Sequence, residues 1–232
     1  MLDLQGYGGS ILAGTWINVA CGLLALALSV VLGLLAALAK LSRSRLLQGV
    51  AAVYTTIIRG VPDLLMMMII FFGGQVLVNQ ILFSLGSEDY VDVNPFVAGV
   101  ISIGFIYGAY MTETFRGAIL AVPKGQLEAG YAYGMGAGQV LRRILLPQMV
   151  RHALPSFGNN WLVLLKTTAL LSIVGLEDMV RRARLAAGAT HEPFTFYLAV
   201  GLIYLALTTI SIIVLRWAER RYSVGTSRSA PA

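Results

Sequence analysis

Long stretches without any charged residue constrain the fold of this chain more than any other feature of its sequence. No Asp, Glu, Lys or Arg occurs in residues 4–39, 64–87, 93–112 or 193–215. An α-helix rises about 1.5 Å per residue, so roughly 20 apolar residues cross the hydrocarbon core of a bilayer. Only 12% of the 232 residues are charged, about half the proportion in soluble proteins. The sequence therefore predicts an all-α integral membrane protein.

Five membrane helices are predicted within a single domain that covers residues 1–232. They are expected at 11–39, 62–83, 95–119, 155–176 and 194–217. Basic residues concentrate in the connections on one side of this bundle, so the positive-inside rule places the N-terminus outside and the C-terminus in the cytoplasm.

The connection at 177–193 disagrees with this orientation, because it would lie outside and yet carries Arg181, Arg182 and Arg184. A short amphipathic helix on the outer face or a partly re-entrant fourth span would account for it.

Several classes of function find no support in the sequence. His152 and His191 are isolated, and neither a catalytic set nor metal-ligand spacing is present. A phosphate-binding glycine loop is also absent, so ATP would be hydrolysed on another chain. The net charge of +6 resides at the ends of the apolar runs rather than among aromatic residues. That placement fits a membrane protein and argues against a nucleic-acid partner.

The connection at 123–152 is predicted to fold as a helix–turn–helix. Apolar residues recur at helical spacing at Ala137, Val140, Leu141, Ile144 and Leu145. Gly134 and Gly136 would permit a sharp turn with positive φ before this helix. Pro147 lacks an N–H and disfavours helix at the preceding residue, so the helix is expected to end at Leu146. Taken alone, such a hairpin could simply cap the bundle and anchor it to lipid.

The same hairpin carries a known pattern. The EAA loop of bacterial ABC import permeases reads Glu-Ala-Ala, three residues, Gly, nine residues, Ile-x-Leu-Pro. This chain meets the pattern with Glu128, Ala129, Gly134, Ile144, Leu146 and Pro147, and departs from it with Gly130 in place of the second alanine. The hairpin thus resembles the loop that docks such a permease onto its ATPase, and the resemblance assigns these seven residues to that contact.

Further motifs extend the resemblance along nearly the whole chain. Arg59-Gly60-Val61-Pro62 resembles the Arg-Gly-Thr-Pro element of polar amino-acid permeases. The third-helix and fourth-helix signatures are matched by Tyr110, Glu113, Arg116-Gly117, Gly158-Asn159-Asn160 and Leu165-Lys166-Thr167. The histidine/lysine/arginine/ornithine branch is the most similar, through Asp63, Glu177-Asp178 and residues 219–225.

The resemblance implies a type I ABC importer permease with five transmembrane helices in the bacterial inner membrane. Its expected partners are membrane lipid, a second homologous permease in a heterodimer, two ATPase subunits and a periplasmic or extracellular amino-acid-binding protein. No cofactor is expected on this chain, since ATP and Mg²⁺ would be held by the ATPase. The alternative is a passive channel or pore subunit, which would conduct without ATP.

Ionisable groups inside a bilayer are expensive and are therefore functional candidates. Glu113 is the candidate contact for a cationic substrate, although Arg116, three residues later, can also pair with it on one helix face. Asp63 could cap the second helix or form a cytoplasmic gate with Arg59.

Polar groups on the fourth helix are further candidates. Lys166 could line the pathway or bind a carbonyl or asparagine at the subunit interface, and the repulsion between a fixed cation and cationic substrates favours the structural role. Asn159 and Asn160 are polar enough to bridge helices or to line a path.

Overall fold

The chain folds into helices joined by short connections. The computed structural model describes residues 4–87 and 89–222 and contains no strand within them. Residues 223–225 of the branch motif lie outside the described part. The helices are α1 (Gly8–Leu41), α2 (Arg45–Gly60), α3 (Asp63–Ser84), α4 (Pro95–Leu120), α5 (Lys124–Ala132), α6 (Ala137–Val140), α7 (Leu146–Thr167), α8 (Met179–Thr190) and α9 (Pro193–Tyr222). A π-helical turn, Leu141–Leu145, joins α6 to α7, and a 3-10 turn, Thr168–Ser172, follows α7.

Local signals explain where the early helices begin. The Ser44 side chain accepts a hydrogen bond from Leu47 N–H at the start of α2. Asn94 caps α4 by accepting from the N–H groups of Phe96 and Val97, and Pro95 occupies the first turn, where its missing N–H is not needed. Pro62 separates α2 from α3, because a proline disfavours helix at the residue before it.

Helices α1 and α4 form the centre of the bundle and run side by side in the same direction. A Cβ added to Gly33 would lie 2.5 Å from Met111 Cβ, and one added to Gly104 would lie 2.6 Å from Leu28 Cδ2. Small residues at such contacts let helices approach closely, which is how packing is gained in lipid. Helix α4 is therefore enclosed by its neighbours, and its side chains reach α1, α2, α3 and α7.

Four helices in the described part of the chain are long and apolar enough to cross a membrane. They are α1, α3, α4 and α9. They occupy the positions where the sequence predicts spans at 11–39, 62–83, 95–119 and 194–217. Much of the apolar surface of α1, α3 and α9 faces outward, where lipid or a partner would cover it.

The predicted fourth span, 155–176, differs from the structure at both ends. Helix α7 begins at Leu146, so it continues well into the hairpin, and its α-helical part ends at Thr167. After the 3-10 turn, Gly175 adopts a φ of +97° and redirects the chain towards α8. Only glycine takes up this conformation without steric cost, and its position fixes where the fourth helix stops.

The connection at 177–193 contains a short helix, as the first of the two alternatives expects, and the placement of this helix on the outer face stays a prediction. One face of α8 is buried against Ile11 of α1 and Phe196 of α9, and this face consists of Met179, Ala183, Ala186 and Ala187. Arg182 lies on another face and donates to Glu177 O and to Ser10. The three arginines of this connection are therefore accommodated on an amphipathic helix packed on α1 and α9.

A buried polar contact fixes the start of α8 to α1. Asn18 Nδ2 donates to Asp178 Oδ2 at 3.1 Å, and Asn18 Oδ1 accepts from Met179 N–H at 3.0 Å. Asp178 also caps α8, since its Oδ1 accepts from Arg181 N–H at 2.9 Å. Both Asn18 and Asp178 are fully buried. Because buried polar groups are expensive unless they are hydrogen-bonded, these contacts select one arrangement of α1 and α8.

Candidate functional site

Two adjoining clefts lie where α2, α4 and α7 meet. Their volumes are about 490 and 510 Å³, and both are lined by Arg59, Tyr110 and Glu113. The first cleft extends to Lys40 at the end of α1 and to Thr55 on α2. The second is completed by Thr114 of α4 and by Pro155, Ser156, Asn159 and Asn160 of α7. The clefts thus join residues that the sequence singled out on three separate helices.

Glu113 is held by two cations. Arg116 Nε lies 3.0 Å from Glu113 Oε2, which is the ion pair that the three-residue spacing predicted. Lys40 Nζ lies 2.5 Å from Glu113 Oε1 and 2.5 Å from Thr55 Oγ1. The carboxylate is therefore engaged through both oxygens, once within α4 and once across to α1.

Asp63 accepts hydrogen bonds from two tyrosines. Tyr107 Oη lies 3.3 Å from Asp63 Oδ2, and Tyr110 Oη lies 3.4 Å from Oδ1. These phenols are one helical turn apart on α4, so they converge on one carboxylate. Tyr107 Oη also lies 2.6 Å from Thr167 Oγ1 of α7.

Neither expectation for Asp63 describes these contacts. No side chain caps α3, whose N-cap is Pro62, and the ion pairs found in the described ranges do not include Asp63. Arg59, the expected gate partner, instead lies with its Cζ 5.5 Å from the Tyr110 ring centroid. This distance is within the range of a cation–π contact. Asp63 still lies in the first turn of α3, where a negative charge complements the helix dipole.

The polar candidates on α7 have separate environments. Asn160 Nδ2 donates to Thr114 Oγ1 at 3.0 Å and so bridges α7 to α4, whereas Asn159 is exposed in the second cleft. Lys166 is exposed in the last turn of α7 and lines neither cleft. No ion pair of Lys166 is found across residues 4–87 and 89–222.

The turn of the hairpin is a Schellman motif at the end of α5. Met135 N–H donates to Gly130 O at 3.1 Å and Gly134 N–H donates to Tyr131 O at 2.9 Å. Gly134 has a φ of +77°, the left-handed conformation that this motif requires. Gly136 has a φ of −69°, so only one of the two glycines that were expected to allow the turn uses positive φ.

Gly130, the departure from the EAA pattern, is buried against the second arm of the hairpin. A Cβ at this position would lie 2.6 Å from Ile144 Cδ1 and 3.2 Å from Val140 Cγ2. The missing methyl group lets the two arms pack closely. Gln126 and Gln148 close the base of the hairpin through a side-chain hydrogen bond.

The second arm does not end at Leu146, so that prediction is wrong. The π turn places Leu146 N–H on Leu141 O, five residues earlier, and helix α7 then runs through Pro147. Pro147 falls in the first turn of α7, where the helix does not need its N–H. Val140 is 3% exposed, whereas Leu141, expected on the same apolar face, is 53% exposed.

The family model for the inner membrane component of binding-protein-dependent transport systems matches residues 29–224. The chain belongs to this family. The matched region includes both clefts and the whole hairpin.

Relatives of this permease are similar along almost their entire length. The histidine/lysine/arginine/ornithine transport system permease protein HisQ of Salmonella typhimurium is 52% identical over 97% of this chain and 99% of HisQ. The octopine transport system permease protein OccQ of Rhizobium meliloti is 43% identical over 97% of this chain and 94% of OccQ.

A solved structure gives the same fold. A chain in the crystal structure of an amino acid ABC transporter with histidines superposes with a TM-score of 0.78. The two chains are 31% identical, and the match covers 93% of this permease and 95% of that chain. The predicted fold class, an all-helical type I importer permease, is confirmed.

Sequence reasoning missed several residues of the permease that the structure brings to these sites. Lys40 is one of the basic residues in the connections that set orientation, and the structure brings it into contact with Glu113. Tyr107 was not singled out, although a tyrosine one turn before Tyr110 was a visible signal. At the hairpin tip, Tyr133 is 88% exposed beside the Gly134 turn. An aromatic residue next to a predicted turn glycine could have been noted as a docking candidate.

Proposed function

We propose that the permease forms part of the translocation path of an ATP-driven importer for basic amino acids. The observation that carries this proposal is the 52% identity to HisQ, whose name states transport of histidine, lysine, arginine and ornithine. The clefts support the same substrate class. Glu113 and Tyr110 line both clefts, and Asp63 accepts a hydrogen bond from the Tyr110 hydroxyl. Carboxylates and tyrosine rings are the groups that attract ammonium and guanidinium ions.

The path is completed by a second, homologous permease. The helices α3 and α9 are apolar and mostly unburied, which leaves faces for a partner to cover. A binding protein outside the membrane delivers the amino acid. Asn159 and Asn160 of α7 lie at the edge of the second cleft and would contact the substrate's polar groups.

The hairpin couples this path to two ATPase subunits, which hold ATP and Mg²⁺. Its contact comprises Glu128, Ala129, Gly130, Gly134, Ile144, Leu146 and Pro147. Support comes from the exposed tip around Gly134 and from the helical continuity of α6, the π turn and α7. A push on the hairpin during ATPase closure would thus move α7 and its cleft residues directly.

The hairpin and the C-terminus lie in the cytoplasm in this account, and the start of α1 lies outside the bacterial inner membrane. The basic residues near the hairpin and at the end of α9 support this orientation. The contact between Lys40 and Glu113 also places the end of α1 near the end of α4 that leads into the hairpin.

Co-purification tests the assembly. The permease would be expressed with and without a candidate ATPase and second permease and isolated by a tag on this chain. Co-elution of the ATPase with wild-type permease, and its loss with a Glu128→Lys variant, is expected. Elution of the permease without an ATPase would contradict the proposed coupling, as would retention of the ATPase by the hairpin variant. Either result would favour the alternative of a passive pore.

A further inference from the structure

Two basic side chains of the permease contact the groups that would attract a cationic substrate. Lys40 Nζ contacts Glu113 Oε1, and the Arg59 guanidinium lies over the Tyr110 ring. Both cations line the first cleft together with their partners. The side chains of Lys40 and Glu113 are only 17% and 24% exposed, so water screens their contact incompletely.

We infer that Lys40 is an internal competitor that occupies Glu113 when the cleft is empty and that a cationic substrate must displace. This inference rests on the proposed function, because it requires a basic substrate in the cleft. It makes Lys40, which no motif assigned to the site, a residue that sets how tightly the permease holds its substrate.

The geometry distinguishes Lys40 from the other cation on Glu113. Arg116 is on the same helix and moves with Glu113, so it remains a fixed neighbour. Lys40 reaches across from the last turn of α1 on a flexible stem with three N–H donors. The contact from Lys40 therefore joins α1 to α4, whereas the contact from Arg116 lies within α4.

Exchange of one cation for another leaves the number of charge contacts on Glu113 unchanged. When substrate is absent, Lys40 supplies the second of the two cations that Glu113 binds, so both carboxylate oxygens stay engaged. The incoming ammonium or guanidinium then restores the lost contact, and the released Lys40 regains hydration. Thr55 Oγ1, which also binds Lys40 Nζ, adjusts how firmly the lysine is held.

The test is equilibrium binding of radiolabelled L-arginine to the purified complex in lipid nanodiscs without nucleotide. Lys40→Met keeps the apolar stem and removes the charge, and we expect it to tighten arginine binding roughly threefold to tenfold. Arg43→Met is the matched control, because it removes one nearby charge from an exposed position and is expected to bind arginine as the wild type does. Thr55→Val keeps the lysine charge and should tighten binding by a smaller factor.

The Glu113→Gln background decides the mechanism. With Glu113→Gln, arginine binding should weaken, and adding Lys40→Met should then bring no gain. The inference would be overturned if neither Lys40→Met nor Thr55→Val bound arginine more tightly than the wild type. It would also be overturned if Lys40→Met tightened arginine binding equally in the Glu113→Gln background. If the wild-type complex binds none of arginine, lysine, histidine and ornithine, the proposed substrate class itself fails and the inference fails with it.

Discussion

At Gly130 the chain lacks a methyl group that the EAA pattern supplies, and the structure gives a reason. The space is taken by Ile144 Cδ1, which is the far end of a flexible side chain. An alanine would gain roughly 1 kcal/mol of helix propensity, but it would displace this methyl group and approach Val140 Cγ2 to 3.2 Å. The departure therefore reflects close packing between the two arms of the hairpin and does not leave the first arm loose.

Gly130→Ala is expected to change the free energy of unfolding by less than about 1 kcal/mol, because the two effects oppose each other. Gly130→Leu cannot be accommodated by one rotamer change and should separate the arms. Thermal unfolding of the purified permease in detergent measures both. A large destabilisation by alanine, or tolerance of leucine, would contradict the packing described here.

Tyr133, an exposed aromatic residue at the hairpin tip, is the best candidate for an anchor residue in the interface with the ATPase. Its exposed fraction of 88% places nearly the whole ring in reach of a partner. Tyr133→Ala is expected to weaken ATPase binding by about tenfold or more, as truncation of an aromatic anchor does. The dissociation constant of the ATPase is measured by capturing the permease on a surface and titrating the ATPase over it. Tyr90→Ala removes an exposed tyrosine from the connection between α3 and α4 and should leave that constant unchanged.

The proposed coupling to the ATPase depends on the backbone conformation of the turn at the end of α5. Gly134 has positive φ, and a β-branched residue there adds roughly 1–2 kcal/mol of strain. Gly134→Val is therefore expected to distort the hairpin and to uncouple hydrolysis from transport. Substrate moved per ATP hydrolysed should fall severalfold.

Gly138→Val supplies the matched control for that element. Gly138 lies in α6 with open space around it and without positive φ, so valine should be tolerated. Equal coupling ratios for the two variants would show that the conformation of the turn is unimportant.

The hydrogen bonds of Asn18 with Asp178 and Met179 form a clamp that fixes the start of α8 to α1. Asn18→Leu would remove the donor to Asp178 and the acceptor for Met179 N–H while leaving both partners buried. The expected destabilisation is about 2–4 kcal/mol, which lowers the melting temperature of the detergent-solubilised permease. Asn159→Leu makes the same substitution at an exposed position on α7 and should alter the melting temperature little. A similar decrease in melting temperature for both variants would contradict a special role of the clamp in stability.

Much of the whole molecule follows from local sequence, and the remainder depends on contacts between distant residues. Charge-free runs predicted α1, α3, α4 and α9 because crossing a bilayer requires length and apolarity, which are readable along the chain. The end of α7 depends on the Gly175 turn and on packing by Asn18. Neither feature can be predicted from the hydrophobic periodicity of the sequence. The π turn was also hidden, since Pro147 reads locally as a helix stop.

The sites divide in the same way. The ion pair between Glu113 and Arg116 was predictable because both residues lie on one helix. Lys40, 73 positions from Glu113 in the chain, reaches it only through the packing of α1 on α4. Gly130 was visible as a departure, but its cause required the position of Ile144.

The most direct test of the whole account is uptake of radiolabelled L-arginine by proteoliposomes that contain the permease, its homologous partner and the ATPase. ATP would be sealed inside and the binding protein added outside. Accumulation above the external concentration with ATP, absence of accumulation with ADP, and competition by unlabelled lysine but not by glutamate are the predicted results. Equilibration of arginine at equal rates with ATP and with ADP would identify a passive pore and contradict the account.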